Sequence, residues 1–327
     1  MKSGLMLLVM ILPVVARAGE SGSPSGRFTA TIVTSGNPRH APDYTSWQAT
    51  IHDTEGKISY TLTKRIPYDE QFPSLHIADG GWAVLSSAFE GWVDYFTTDG
   101  VRTATLLPFN NASPDHERII KCAVGGGVVG ILTSTPEIPG ARVRITTGAG
   151  SVRSGIPLPG GIAGEIVVSA DGKVIVAGSY DPMGRVKQST IIDVSSGEVI
   201  GSIDVLFRSA AIDGDRILLA DRNTAYVVRL SGERVGRWSS PDVITAAGWF
   251  HHLTAVVTEQ VTIASGAPLY ANPSLVMCRE DGTVLQQRLL TSRSRTPARL
   301  LFRDDKLVVR STGDSVVVSA GDISTRE

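Results

Sequence analysis

The chain has 327 residues, 42% of them apolar, and its 31 Lys and Arg stand against 32 Asp and Glu for a formal net charge of −1. That balance excludes a broad electrostatic pull towards nucleic acid or anionic lipid, while the apolar content is ample for a large core. With only Cys122 and Cys278 present, a disulfide-dense scaffold is excluded as well.

The first residues read as an export signal. Lys2 is a short positive lead, residues 5–15 are an unbroken apolar run, and Ala16-Arg17-Ala18 offers the small-x-small pattern that a signal peptidase cuts. The run is well short of the roughly 20 residues that a spanning helix needs. The mature chain is therefore expected to begin near Gly19, secreted or periplasmic, with no membrane span. Loss of Lys2 and Arg17 leaves 29 bases against 32 acids, a net charge of about −3.

From Phe28 onward short runs rich in Val, Ile, Thr and Leu alternate with glycine-containing turns, and no stretch sustains a 3.6-residue period. One unit shows the pattern best. Residues 165–170 lead into Asp171-Gly172, then 173–179, a longer loop, 189–195, Ser196-Gly197 and 198–205. Asp-Gly and Ser-Gly supply the positive φ that tight hairpins demand. The second turn of this unit recurs at Glu55-Gly56, Asp99-Gly100, 148–150, Ser231-Gly232, Asp281-Gly282 and Ala320-Gly321, a period of about 44 residues. The first turn tracks it at Asp79-Gly80, 125–127, Asp213-Gly214, His251-His252 and Asp304-Asp305. Four strands per unit at this period are the mark of propeller blades, because one such sheet cannot bury both faces alone and a radial stack can. The expected fold is all-β, a single β-propeller of about seven four-stranded blades, with six or eight as alternatives. Its parts are a signal peptide at 1–18, a flexible N-terminal segment at 19–26 and the propeller at 27–327. The first blade shows only three strands after Phe28, and the source of its inner strand is left open. Cys122 falls on an inner strand and Cys278 on a third strand of a distant unit; an oxidising compartment would permit a bridge, but one needs Cα atoms within about 7 Å, so this placement favours free thiols and leaves the pairing open.

The stretch Ile192-Asp193-Val194-Ser195-Ser196-Gly197-Glu198-Val199 resembles the core of YVTN and quinoprotein-like (PQQ-type) repeats, in which a strand ending in Asp enters a Ser-Gly turn and then a Val. Leu230-Ser231-Gly232 and Glu280-Asp281-Gly282-Thr283-Val284 are weaker echoes. The resemblance implies a propeller in an extracytoplasmic setting and no particular activity.

Several catalytic patterns are absent or misleading. CxxC, HExxH and GxSxG do not occur. Gly125, Gly127 and Gly130 fit GxGxxG, yet they sit between two strand-like runs, where no helix N-terminus can meet a pyrophosphate. His251-His252 reads as a solvated turn, since adjacent strand residues point to opposite faces and cannot share a metal. Asp213-Gly214-Asp215 lacks the further oxygens of a calcium loop. No cofactor and no metal are implied, and no residue is assigned a catalytic role.

In a propeller the two hairpin turns of each blade open on one face, and the links between blades open on the other with the second-to-third-strand loops. The long connections 35–46, 68–74, 110–117, 134–140, 180–187, 207–208, 259–273 and 292–297 gather on that second rim. They are rich in Tyr and Arg, the residues that dominate interface hot spots. The binding candidates are Tyr68, Asp69, His116, Glu117, Arg118, Tyr180, Arg208 and Arg293. His116, among carboxylates before an inner strand, is also the acid–base candidate at the channel mouth. The favoured function is a monomeric binding module whose rim docks a protein, peptide or glycan and no nucleic acid. The alternative is a propeller enzyme with a channel-mouth site: a hydrolase or lyase acting on sugars or lactones, or a quinone-dependent dehydrogenase. A component of an envelope assembly is the third possibility.

Overall fold

The computed structural model describes residues 17–23, 27–35, 44–67, 73–87, 91–106, 117–135, 140–147, 152–183, 185, 187–303, 306–311 and 314–319. Among these residues every regular element is a strand, and the strands form seven sheets in chain order. The fourth sheet shows the plan: Ile162–Val168, Val174–Tyr180, Lys187–Asp193 and Val199–Ile203, each antiparallel to the one before. Five sheets have four strands in this simple order, the sixth adds a short fifth strand, and the seventh has three. The inner strands are Arg17–Gly22, Ser74–Ile77, Arg118–Gly125, Ile162–Val168, Ser209–Asp213, Val243–Phe250 and Arg299–Arg303, and each touches its successor.

Burial follows position in the sheet. The second strand of the fourth sheet, Val174–Tyr180, is buried along nearly its whole length, whereas the outer strand Val199–Ile203 is mostly exposed and buried only at Ile203. A second strand is covered on both faces by neighbouring sheets, so it is a continuous apolar run rather than an alternating one. Six buried clusters result, each lying between two consecutive sheets. Trp47, Ile51 and Leu62 meet Leu75, Ile77 and Leu85 between the first and second, and Phe250 and Val257 meet Leu307 and Val309 between the sixth and seventh. Each fully buried side chain of this size contributes about 1.5–3 kcal/mol relative to exposure. The cohesion of the molecule is therefore mainly between sheets.

Both turn series lie where their spacing places them, except at 148–150, 304–305 and 320–321, which fall outside the described residues. Their glycines have a second task. Gly232 has φ 88, and a Cβ there would stand 3.0 Å from the backbone carbon and nitrogen of Ser202 in the outer strand of the preceding sheet. Gly282, at φ 92, meets Arg237 of its preceding sheet in the same way, with 2.8 Å to the backbone carbon. A side chain at either position would hold two sheets apart.

Two segments depart from expectation. The inner strand of the first sheet is Arg17–Gly22, paired from Arg17 with Thr34 to Gly22 with Thr29. It takes in residues 19–22 of the segment expected to be flexible. Its sequence, Arg-Ala-Gly-Glu-Ser-Gly, has no β-branched residue and no strand signal. The backbone groups along the inner edge of Phe28–Ser35 need a partner, and this stretch of chain supplies it. Cleavage after Ala18 would leave Gly19–Gly22 of the strand in place. The second departure is at 259–273, expected as an irregular loop. Leu253–Ala264 and Ala267–Cys278 instead run on as one long hairpin with its tip at Ser265-Gly266, where φ is 53 and 73. Pro268 is tolerated because it sits where its strand has a partner on one side only, the position in which a missing N–H costs least.

Candidate functional site

A concavity of about 770 Å³ lies between the inner strands of the second to seventh sheets. It is bounded by the later halves of those strands and by Ala170, Asp213 and His251 at their turns, so it lies towards the short-turn face rather than the loop-rich rim. Such a volume suits a small ligand, but the wall is mostly aliphatic and aromatic: Ile77, Val167, Ala210, Ile212, Trp249 and Phe302.

The ionisable side chains lining this channel, among the described residues, are His76, Cys122, Asp213 and His251. His76 has its Nε2 buried without a hydrogen-bond partner among the described residues. Burial, with a smaller contribution from the charge of Lys121, lowers its pKa to about 4 and keeps the ring neutral near pH 7. Lys121 is itself ion-paired to Glu165, which joins the inner strands of the third and fourth sheets. The thiol of Cys122 is pushed up to about 12 by burial. The four lining groups come from the second, third, fifth and sixth sheets, and no hydrogen bond among the described residues joins any two of them into a nucleophile with an oriented base. Among the described residues no three metal-ligating side chains cluster.

The short-turn face is acidic for a structural reason. Asp53 accepts the backbone N–H groups of Glu55 and Lys57 at 3.0 and 2.9 Å, and Asp281 accepts that of Thr283 at 2.8 Å. Asp193 accepts from the Ser195 hydroxyl and the Ser196 N–H, which holds its carboxyl below the usual range. These carboxylates shape turns. Further in, Arg216 binds Asp213 and Glu280 and lies 4.8 Å above the Trp249 ring, tying the fifth sheet to the sixth.

On the opposite rim the sequence candidates separate. Tyr68, Asp69 and His116 lie outside the described residues. Glu117 is buried and ion-paired to Arg144 and, at 3.6 Å, to Arg142, so it pins the start of Arg118–Gly125 to the third strand of its own sheet. Arg118 and Arg208 are exposed at the starts of the third and fifth inner strands, and Tyr180 is half-buried at the end of Val174–Tyr180. Arg293 is exposed in the short strand Arg293–Ser294, which pairs with Tyr270 and Ala271 of the long hairpin. Arg118, Arg208 and Arg293 have no acidic partner among the described residues. The hairpin itself was missed as a feature. The alternation Val261-Thr262-Ile263, mirrored by Pro268-Leu269-Tyr270 across Ser265-Gly266, was the signal that could have shown it.

Among solved structures, a complex of KlAtg21 with the coiled coil of AgAtg16 superposes with a TM-score of 0.64 at 11% identity, covering 92% of this chain and 93% of that one. The C-terminal WD40 domain of Sif2 gives 0.57 at 12%, over 95% of this chain and 84% of that one. The fold is a β-propeller. BamB from Moraxella catarrhalis, at TM-score 0.51 and 11% identity, covers 88% of this chain and 80% of that propeller-like neighbour. No family model and no curated protein matches the sequence. At these identities the likeness concerns the fold alone, and the seven sheets are its blades. No helix among the described residues is long and apolar enough to cross a membrane.

Proposed function

We propose that this propeller is a binding module that docks a protein or peptide on its loop-rich rim, and that it works outside the cytoplasm as a monomer. The observation that carries the reading is the division of exposed charge. Aspartates of the short-turn face are engaged in turn hydrogen bonds, while Arg118, Arg208 and Arg293 of the rim are exposed and unpaired among the described residues. A guanidinium that the fold does not use is available for a partner. The channel supports this reading over the enzyme alternative because its lining His76, Cys122, Asp213 and His251 are not hydrogen-bonded to one another among the described residues, whereas an enzyme calls for such groups meeting around a reacting centre. The KlAtg21 structure, a propeller bound to a coiled coil, is a precedent for protein docking on this fold. The Asp-Val-Ser-Ser-Gly-Glu-Val stretch at 193–199 supports a place among YVTN and quinoprotein-like repeats, and Lys2 with the apolar run 5–15 supports export.

Site-directed photo-crosslinking in the producing cell tests the docking face. A photoreactive residue at Tyr180 or Arg208 is expected to yield a discrete adduct, and one at Ser196 on the turn face is not. Adducts at Ser196 alone would overturn the proposal. For export, mass spectrometry of the mature chain is expected to place the N-terminus at Gly19, and an intact Met1 would contradict it.

A further inference from the structure

The sixth blade carries a feature that blade packing does not require. Its second and third strands, at 12 residues each, are the longest among the described residues, and 260–264 and 267–271 extend beyond the outer strand Val284–Leu289, which pairs only with 274–278. No charged residue occurs from 260 to 273. The cross-strand pairs Val261–Tyr270 and Ile263–Pro268 share one face of this arm, and Ile263 is 73% exposed. A large aliphatic side chain held so far into water gains nothing from the fold.

The arm is braced. Arg295 donates to the carbonyls of Ala264 and Ala267 at 2.7 and 3.3 Å, close to the tip, and Arg293–Ser294 pairs along one edge. At the base, the buried carboxylate of Glu259 accepts the Ala298 N–H at 2.9 Å. A rigid arm binds without a large loss of conformational entropy.

Exposed arginines lie on the segments that meet its base. Ile244, at the start of the inner strand Val243–Phe250 beside the arm base, donates its N–H to the carbonyl of Arg222 at 2.7 Å, and the N–H of Arg208 bonds Ala220 at 2.8 Å in the same region. Arg208, Arg222 and Arg293 are exposed, and none makes an ion pair among the described residues. Half-buried Asp221 and Asp242 lie among them and make no ion pair with any arginine there.

We infer that this arm, with Arg208, Arg222 and Arg293 at its base, is the docking element for an acidic polypeptide segment that carries an apolar side chain beside its carboxylates. An apolar face set between arginines matches such a segment better than a polyanion lacking apolar groups, which would leave Ile263 in water. The inference rests on the rim-docking proposal and gives it a location and a partner chemistry.

Panning displayed random linear peptides on the full-length protein, on Ile263→Ser and on the triple variant R208E/R222E/R293E is the test, with urea midpoints confirming that all three are folded. The wild type is expected to enrich peptides that combine Asp or Glu with an apolar residue. By fluorescence anisotropy, each variant is expected to bind them about tenfold or more weakly, the loss of one interface anchor. Selected peptides held equally well by both variants would overturn the arm as docking element and leave rim docking standing. Polyglutamate binding as tightly as the selected peptides would remove the apolar contact from the inference. No enrichment on the wild type would overturn both the inference and the peptide-docking proposal beneath it.

Discussion

Substituting alanine for glycine at two turns separates the backbone and packing roles of the hairpin corners. Gly214 and Gly232 both have positive φ, 58 and 88, and sit in hairpin turns of the same blade. Each Gly→Ala change forces an L residue into the left-handed region, at about 1–2 kcal/mol. At Gly214 the new methyl meets nothing within 4 Å, so the backbone term is all there is. At Gly232 it stands 3.0 Å from the backbone carbon and nitrogen of Ser202, a strand that cannot swing aside as a side chain would. Relieving that overlap shifts the fifth blade against the fourth, a further cost of about 1–3 kcal/mol. G214A is therefore expected to lose about 1–2 kcal/mol and G232A about 2–5 kcal/mol. Urea unfolding followed by far-ultraviolet circular dichroism, with midpoints compared at unchanged slope, reads the difference. Equal losses at the two positions would show that turn conformation alone selects these glycines and that the contact between blades is not formed.

Three other expectations follow from individual side chains. His76 titrates near 6.5 in an unfolded chain and near 4 in the fold, so between those values the unfolded chain binds the extra proton. Stability should therefore fall as pH drops from about 6.5 to about 4, by about 3 kcal/mol in all, and His76→Gln should remove that part of the slope. Glu259, raised by burial, contributes with the opposite sign, so the measurement is the difference between variant and wild-type profiles. A variant profile parallel to wild type would contradict the buried neutral ring. Glu117→Ala strips the partner from Arg142 and Arg144 and should cost about 2 kcal/mol in urea unfolding while leaving peptide binding at the arm unchanged. The reverse outcome, weakened binding at full stability, would return Glu117 to the docking surface. Cys122 and Cys278 are buried and free, their thiols pushed up to about 12 and about 11, so both should resist alkylation at neutral pH until denaturant is added. Rapid labelling of the native protein would show that these strands open.

Local rules were enough to read the repeat from residues alone. A two-residue hairpin needs positive φ, which selects glycine; its neighbour must satisfy the turn's N–H groups, which selects Asp or Ser. Those demands act within five residues of chain and recur with every blade, so Asp171-Gly172, Ser196-Gly197 and Asp281-Gly282 were legible without coordinates. The aliphatic second strands were legible as well, because burial on both faces writes itself as a continuous run.

What only the tertiary structure decided depends on partners distant in sequence. Arg17–Gly22 is a strand because the edge of Phe28–Ser35 lacks a neighbour, and its own six residues carry no such preference. Glu117 looked like any loop carboxylate until Arg142 and Arg144 were found folded against it. The arm at 260–271 depends on Arg293–Ser294 and Arg295, more than twenty residues away along the chain, to stand out from the rim. Turn chemistry and strand burial are local or periodic, so sequence carries them; edge pairing, ion pairing and bracing are contacts between distant segments, and only folding determines which segments meet.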